Sequence, residues 1–377
     1  MTPSFFRRSK ERPVAPDDPP REVPTYKLSA QLSQFFPPRP TLTQWNIPNQ
    51  NGKVFLITGS TSGIGFELAK ILYARGGTVY ITGRTESKAE RAIKEIQLSV
   101  PEREGRLDYI VLNLHDLSTI KASVEAFKAK ESKLNVLWNN AGVFGPPVGS
   151  VSAQGLELQL ATNCVGPFLL TQMLLPLLDA AVAQNESSSP GPVRVVWLTS
   201  QVAELSSPVE GIIMPELKNT PQDNARKYLN SKVGSWFLAT EFARRYGEEH
   251  GVVSVAVNPG RADTNLFRHT RWKKIFSYPF SSSPKKAALT ELYAGISPDI
   301  GLENNGRYVI PWGRIHTTVA PHLTNAMRSE ELGGTGKAKE FWEFWIPCSP
   351  MGPHFRCHLV ESHSKKKRLR RNLYRCS

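Results

Sequence analysis

Tyr228 and Lys232 stand four positions apart in the run KYLNSKVG, a spacing that puts both side chains on one face of a helix. A tyrosine titrates near ~10 in water and is a poor base at neutral pH. A neighbouring ammonium stabilises the phenolate and is expected to lower that value. Such a pair could exchange a proton with a bound oxygen atom. A buried Tyr–Lys pair without chemistry has the same spacing, so the pattern alone carries little weight.

A second group with chemical meaning is Gly59-Ser60-Thr61-Ser62-Gly63-Ile64-Gly65, which follows KVFLIT and leads into FELAKILYARGG. Glycines are needed where a strand turns tightly into a helix and the backbone must approach a pyrophosphate. The helix N-terminus then offers free N–H groups and the positive end of its dipole. A plain tight turn is the bland alternative, but the position between the first strand and an amphipathic helix favours dinucleotide binding. The second strand, VYIT, ends in Gly83-Arg84. A carboxylate there would accept from the adenosine ribose and favour NAD, whereas a guanidinium can pair with a 2′-phosphate. NADPH (NADP+) is therefore the expected cofactor, with Lys88 and the hydroxyls of Ser60 and Thr61 as helpers; a solvated surface arginine is the alternative.

These residues need a scaffold that holds them. Short β-branched runs alternate with helical patterns from Lys53 to about Gly313: Lys53–Thr58, Thr78–Thr82, Asp108–Asn113, Leu134–Trp138, Val193–Thr199, Val252–Val257 and Arg307–Ile310. Near-continuous apolar strands alternating with helices imply a parallel sheet covered on both faces. Right-handed crossovers favour one doubly wound α/β domain of Rossmann type with seven parallel strands, over residues 51–345. Residues 1–24 are rich in Pro and charge, and 25–50 form a transitional arm, so 1–50 is expected to be a disordered N-terminal arm. The apolar run Phe168–Val182 is interrupted by Thr171, Gln172, Pro176 and Asp179; it reads as a buried helix and not as a transmembrane segment.

The net charge is +14, from 47 Lys+Arg against 33 Asp+Glu. It would suggest a polyanion partner if it were evenly spread. Residues 347–377 alone carry eight Lys/Arg and one Glu, so half of the excess sits in a short tail and the body is only mildly basic. The cluster Lys365-Lys366-Lys367-Arg368 with Arg370-Arg371 could be a nuclear signal or polyanion patch. Cys348, His354, Cys357 and His358 fit no convincing zinc pattern, so no metal is expected. The segment 346–377 reads as a disordered basic tail or as the product of a retained intron or frame error in the gene. No nucleic-acid partner is expected. Four cysteines, three of them in that tail, argue for a reducing compartment, and no apolar leader is visible at the N-terminus; the expected location is cytoplasmic.

The spacing G-x3-G-x-G is where the chain begins to resemble the short-chain dehydrogenase/reductase family, in particular its retinol-dehydrogenase-like and fungal branch. Further motifs follow in order: Asn139-Asn140-Ala141-Gly142 after the fourth strand, Asn163 on the next helix, Ser200 at the end of VVWLTS, Tyr228-x3-Lys232, and Pro259-Gly260 with Thr264 four residues on. The resemblance covers about residues 50–345. It implies an NADPH-dependent oxidoreductase that interconverts a carbonyl and an alcohol, with Tyr228 as general acid/base. It further implies that Lys232 holds the nicotinamide ribose, Ser200 orients the substrate oxygen, and Asn163 holds a water that links Lys232 to solvent. Pro259, Gly260 and Thr264 would border the cofactor. A homodimer or homotetramer, through helices near Asn163 and Tyr228, is what the resemblance implies for assembly.

Two departures from the family pattern stand out. Asn113 takes the place of the usual Asp that contacts the adenine amino group, and its side-chain carbonyl could keep that contact; His115 nearby reads as a surface residue. Ser200 and Tyr228 are 28 positions apart, so the intervening segment reads as a loop insertion forming one wall of the substrate cleft. Arg261–Ser283, the family's lid region, holds Leu266, Phe267, Trp272, Ile275, Phe276, Tyr278 and Phe280. An aromatic lid suggests a largely apolar substrate with one carbonyl or hydroxyl; core packing explains the same residues as well. Val143, Phe144 and Val202 are candidate cleft residues. The competing functional class is a non-catalytic NADP(H)-binding sensor or interaction protein on the same fold.

Overall fold

The structure, a computed structural model, describes residues 28–100, 105–188, 193–262 and 282–348. The apolar runs become the parallel strands β1 (Val54–Ile57), β2 (Thr78–Gly83), β3 (Arg106–Val111), β4 (Val136–Asn139), β5 (Val193–Leu198), β6 (Val252–Val257) and β7 (Tyr308–Ile310). An eighth strand, β8 (Arg314–Ile315), adds antiparallel to β7, so the sheet has eight strands and not the expected seven. The reversal follows from Gly313, whose φ of 86° closes a tight turn directly after β7. Strand order is β3-β2-β1-β4-β5-β6-β7-β8. The order reverses between β1 and β4, and a crevice opens there at the carboxyl ends of the strands.

Twelve helices are named here in chain order. They are α1 (Leu28–Phe35), α2 (Gly63–Tyr73), α3 (Glu86–Ser99), α4 (Ile120–Lys128), α5 (Leu158–Leu160) and α6 (Gly166–Ser188). Then come α7 (Gln201–Ser206), α8 (Pro215–Lys218), α9 (Asn224–His250), α10 (Pro284–Ile296), α11 (Pro321–Met327) and α12 (Lys337–Trp345). One face of the sheet is covered by α2, α3 and α10, and the other by α4, α6, α9 and α12. Central strands alternate between the two cores: Phe55 and Ile57 face one, Leu56 the other, and all three are buried.

Buried polar groups staple these layers together. Arg194 on β5 is fully buried and donates to the carbonyls of Ala294, Ser297 and Ile300 at the end of α10. It thereby answers orphan carbonyls that the helix itself cannot. On the other face α12 lies across α9. Phe341 packs so closely on Gly234 that a Cβ there would sit 2.6 Å from its ring. Trp342 meets the Phe168 ring edge-on, with ring centroids 4.8 Å apart. α12 thus covers the part of α9 around Gly234 and touches α6 at Phe168. The span Leu158–Gln184 is long and apolar enough to cross a membrane by length and composition, but Leu169, Leu170, Leu174, Leu178 and Ala181 are buried in the domain.

Three expectations need correction. From Leu28 the N-terminal arm is not disordered: it forms α1 and then an extended stretch. Leu42 and Ile47 join the core, and Arg75 donates to the carbonyls of Gln44 and Trp45. Pro-rich composition hid these few anchoring side chains. The insertion between Ser200 and Tyr228 is not a plain loop, since it contains α7, α8 and the start of α9; Ser200 and Asp223 act as N-caps of α7 and α9. At the other end, Ile346–Cys348 continue as a short 3₁₀ turn with Ile346 against the core. The remainder of the basic tail lies outside the described residues.

Candidate active site

The loop after β1 is built for a close approach. Gly59 and Gly63 both have φ of 67°, and a Cβ on Gly59 would stand 2.9 Å from the Ala141 backbone. A Cβ on Gly65 would strike the Asn140 amide at 2.5 Å. These glycines bring the β1 and β4 loops together, and Asn140 locks the contact by donating from Nδ2 to Thr58 O at 2.7 Å. Ser62 precedes α2 without a side-chain capping bond, which leaves first-turn N–H groups available to an anion. Thr61, Ser62 and Ile64 line the crevice. Ser60 does not have the expected role: it is fully buried, its hydroxyl donates to Ile57 O and accepts from Thr82 N, and it ties β1 to β2.

Arg84 stands at the crevice rim, exposed, with no hydrogen-bond or ion-pair partner among the described residues. Lys88 is exposed one turn into α3. Asn113 is half-buried, and its side-chain oxygen accepts from His115 N at 3.2 Å. From this stretch the crevice is lined by Leu112, Leu114 and His115. His115 is therefore part of the wall and not a plain surface residue; no residue pattern flagged it, because the Asn113 turn that aims it is a local hydrogen-bond geometry.

Tyr228 and Lys232 sit in the first turns of α9, which Asp223 caps through bonds to Ala225 N and Arg226 N. Lys232 is buried, donates to Leu198 O at 2.9 Å, and places Nζ 5.6 Å from the centre of the Tyr228 ring. Asn163 lies on a π-helical turn, Ala161–Val165, between α5 and α6. Its carboxamide accepts from Val143 N and donates to Val143 O and to Ser231 Oγ. It braces the loop after β4 against α9. Ser200, Tyr228, Lys232, Gly142, Pro259 and Gly260 all border the same cavity of about 650 Å³. Thr264 lies outside the described residues, as does the lid segment between Ala262 and Ser282, whose two ends pair in a parallel bridge.

The part of the cavity beyond Ser200 and Tyr228 is largely apolar. Val143, Phe144, Val202 and Leu205 line it, and Phe144 meets the Tyr228 ring edge-on at 4.9 Å between centroids. Phe35 from α1 completes it. Sequence reading missed Phe35, Leu205, Ala225 and Gln201. The last is legible in hindsight as the residue beside Ser200, and its side-chain nitrogen is buried without a partner.

The family description short chain dehydrogenase matches residues 53–210. The short-chain dehydrogenase/reductase iacJ of Pestalotiopsis fici is 42% identical over 322 residues, which cover 82% of this chain and 94% of that one. The chain belongs to the short-chain dehydrogenase/reductase family. The short-chain dehydrogenase/reductase pkfC of Emericella nidulans is 41% identical, covering 81% of this chain and 95% of its own length. Among solved structures, 3-ketoacyl-(acyl-carrier-protein) reductase from Brucella melitensis complexed with NADH aligns with a TM-score of 0.52 at 22% identity, over 68% of this chain and 96% of that one. The Pseudomonas aeruginosa RhlG/NADP active-site complex aligns with a TM-score of 0.53 at 22% identity, over 71% and 98%. At that identity the two structures speak for the fold.

A short-chain dehydrogenase/reductase is an oxidoreductase that works with a nicotinamide cofactor, and the glycine cradle, where a side chain would clash, fits such a group. Electrostatics at the other end of the crevice differ from the sequence expectation. Burial pushes the Tyr228 phenol up to about 12, against which only the Ser200 hydroxyl acts. Burial also pulls Lys232 down to about 8, although the Glu291 carboxyl opposes that shift. Glu291 is itself buried on α10 with neither oxygen partnered among the described residues, and burial pushes its carboxyl up while the Lys232 ammonium opposes that shift. In the polypeptide by itself burial sets the direction, and the phenol is held protonated.

Proposed function

We propose that this chain is an NADPH-dependent reductase of a largely apolar ketone or aldehyde, with Tyr228 as the proton donor. The carrying observation is that the glycine cradle, Ser200, Tyr228 and Lys232 border one cavity whose far wall is apolar. Gly59 to Ile64 and the α2 N-terminus would hold the pyrophosphate, Arg84 the 2′-phosphate, and Lys232 the nicotinamide ribose. The bound cofactor supplies the hydride. Ser200 orients the substrate oxygen and Tyr228 Oη gives it a proton, and a phenol kept neutral by burial is in the donor state for that direction. Lys232 then returns a proton towards Tyr228. Of the two solved structures, one is a complex with NADH and the other a complex with NADP; in this chain Arg84 supports the phosphorylated form.

The test is cofactor oxidation against a panel of apolar ketones and aldehydes, with NADH as control. NADPH is expected to give kcat/KM at least about tenfold higher, as befits a charge-assisted phosphate contact. Arg84→Ala is expected to erase most of that preference while sparing NADH turnover. Equal use of both cofactors by the parent chain would overturn the Arg84 assignment, and tight NADPH binding without any turnover would favour the sensor reading.

The pH profile gives an independent check. Reduction needs Tyr228 and Lys232 protonated, so kcat/KM for reduction is expected to hold up to about 8 and fall as Lys232 loses its proton. The reverse oxidation is expected to rise over the same range. A reduction rate that climbs steadily from pH 7 to pH 10 would contradict this order of charge states.

A further inference from the structure

We propose that the N-terminal helix α1 is a working wall of the substrate cleft, with Gln34 positioning it and Phe35 reading the size of the substrate. This rests on the reductase reading above for the nature of the ligand. Gln34 is only 4% exposed, while its helix neighbours Leu32 and Phe36 are 51% and 71% exposed. Among its described side chains, the helix is tied to the domain by the two ends of one amide. Gln34 Nε2 donates to Glu204 Oε2 at 2.9 Å, and its Oε1 accepts from Asn258 Nδ2 at 2.9 Å. Arg314 adds a second tie, donating to Ser33 O at 2.8 Å.

The two partners of Gln34 belong to two different segments that border the cavity. Glu204 is on α7, the helix that Ser200 caps and that carries Val202 and Leu205. Asn258 directly precedes Pro259-Gly260 and accepts from Gly260 N. Glu204 is fully buried and also accepts from His316 and from Ala320 N, so its position is fixed independently of the arm. Breaking the amide link strands buried polar groups on both sides, which is far costlier than freeing a surface contact. The residue next to this peg is Phe35, 40% exposed and bordering the cavity with Leu205 and Phe144. An apolar ring left half in water at the rim of a cavity that the proton donor also borders is recovered as contact when an apolar ligand fills the space.

The experiment compares binding of a small ketone (cyclohexanone) and a bulky one (2-decalone) to the full chain with NADPH, by titration calorimetry, alongside turnover. Phe35→Ala is expected to weaken 2-decalone about tenfold, the usual scale for losing apolar contact in a pocket, and to leave cyclohexanone and NADPH affinity within about twofold. Phe35→Leu should restore most of the loss. Gln34→Leu, which frees both partners, should lose the same discrimination at unchanged NADPH affinity. Equal weakening of both ketones, no change with either, or no measurable binding of 2-decalone by the parent chain would overturn the proposal. Ketones that bind and respond to Phe35 but are never reduced would instead overturn the reductase reading, leaving the wall in place.

Discussion

Tyr228→Phe is expected to lower kcat by about 10³-fold, within the range that a positioned acid/base contributes, and to leave NADPH affinity within about twofold. The substitution removes one oxygen and keeps the ring. The edge-on contact with Phe144 at 4.9 Å is therefore retained, as is the helix that carries Lys232. Only the proton donor and its Ser200 bond are lost. Single-turnover mixing of enzyme, NADPH and the best ketone from the panel separates binding from chemistry. A variant that keeps more than about a tenth of the parent rate would remove Tyr228 from the mechanism.

Arg194→Met is expected to destabilise the fold by about 3 kcal/mol, the scale for leaving buried acceptors without their charged donor. The three carbonyls at the end of α10 would lose their donor at once. Removing the charge from the interior offsets part of this. Burial already pulls the guanidinium down to about 10, so it remains protonated at neutral pH yet strained by its surroundings. Arg194→Lys keeps a charge but lacks the planar fork, and should fall between the two. Urea unfolding, followed by circular dichroism, gives the difference directly. A midpoint for Arg194→Met that coincides with the parent would show that the α10 terminus is satisfied by other means.

What was legible in the sequence is what depends on local pattern. Continuous β-branched runs became strands within one or two residues of their expected ends, because a strand buried on both faces has no other composition open to it. The glycines of the β1 loop and the Tyr228–Lys232 pair were likewise readable, since each needs a residue type at a fixed short spacing. The family membership followed from their order. What was not legible depends on pairs far apart in the chain. Gln34 meets partners 170 and 224 positions away, and neither glutamine nor its Pro-rich surroundings announces a buried amide. Ser60 belonged to the readable motif but has its hydroxyl spent inside the sheet. Burial of the Tyr228 phenol is likewise not legible in the sequence: the Lys232 side chain is visible there, whereas the desolvation that raises the phenol's pKa in the polypeptide by itself appears only once α9 is packed.

The placement of α12 bears on how the molecule is made. Phe341, Trp342 and Trp345 are among the last buried residues of the described chain, and they seal the groove formed by Gly234, Phe237 and Phe168. A chain emerging from the ribosome makes its cofactor loop and the groove on α9 before this seal exists. From the completion of α9 until α12 is made it therefore presents an unsealed aromatic groove, the kind of surface that attracts chaperones and aggregates in crowded conditions. Premature termination after residue 262 and before residue 337 would leave the described cavity-lining residues in the chain and remove the helix that covers this groove.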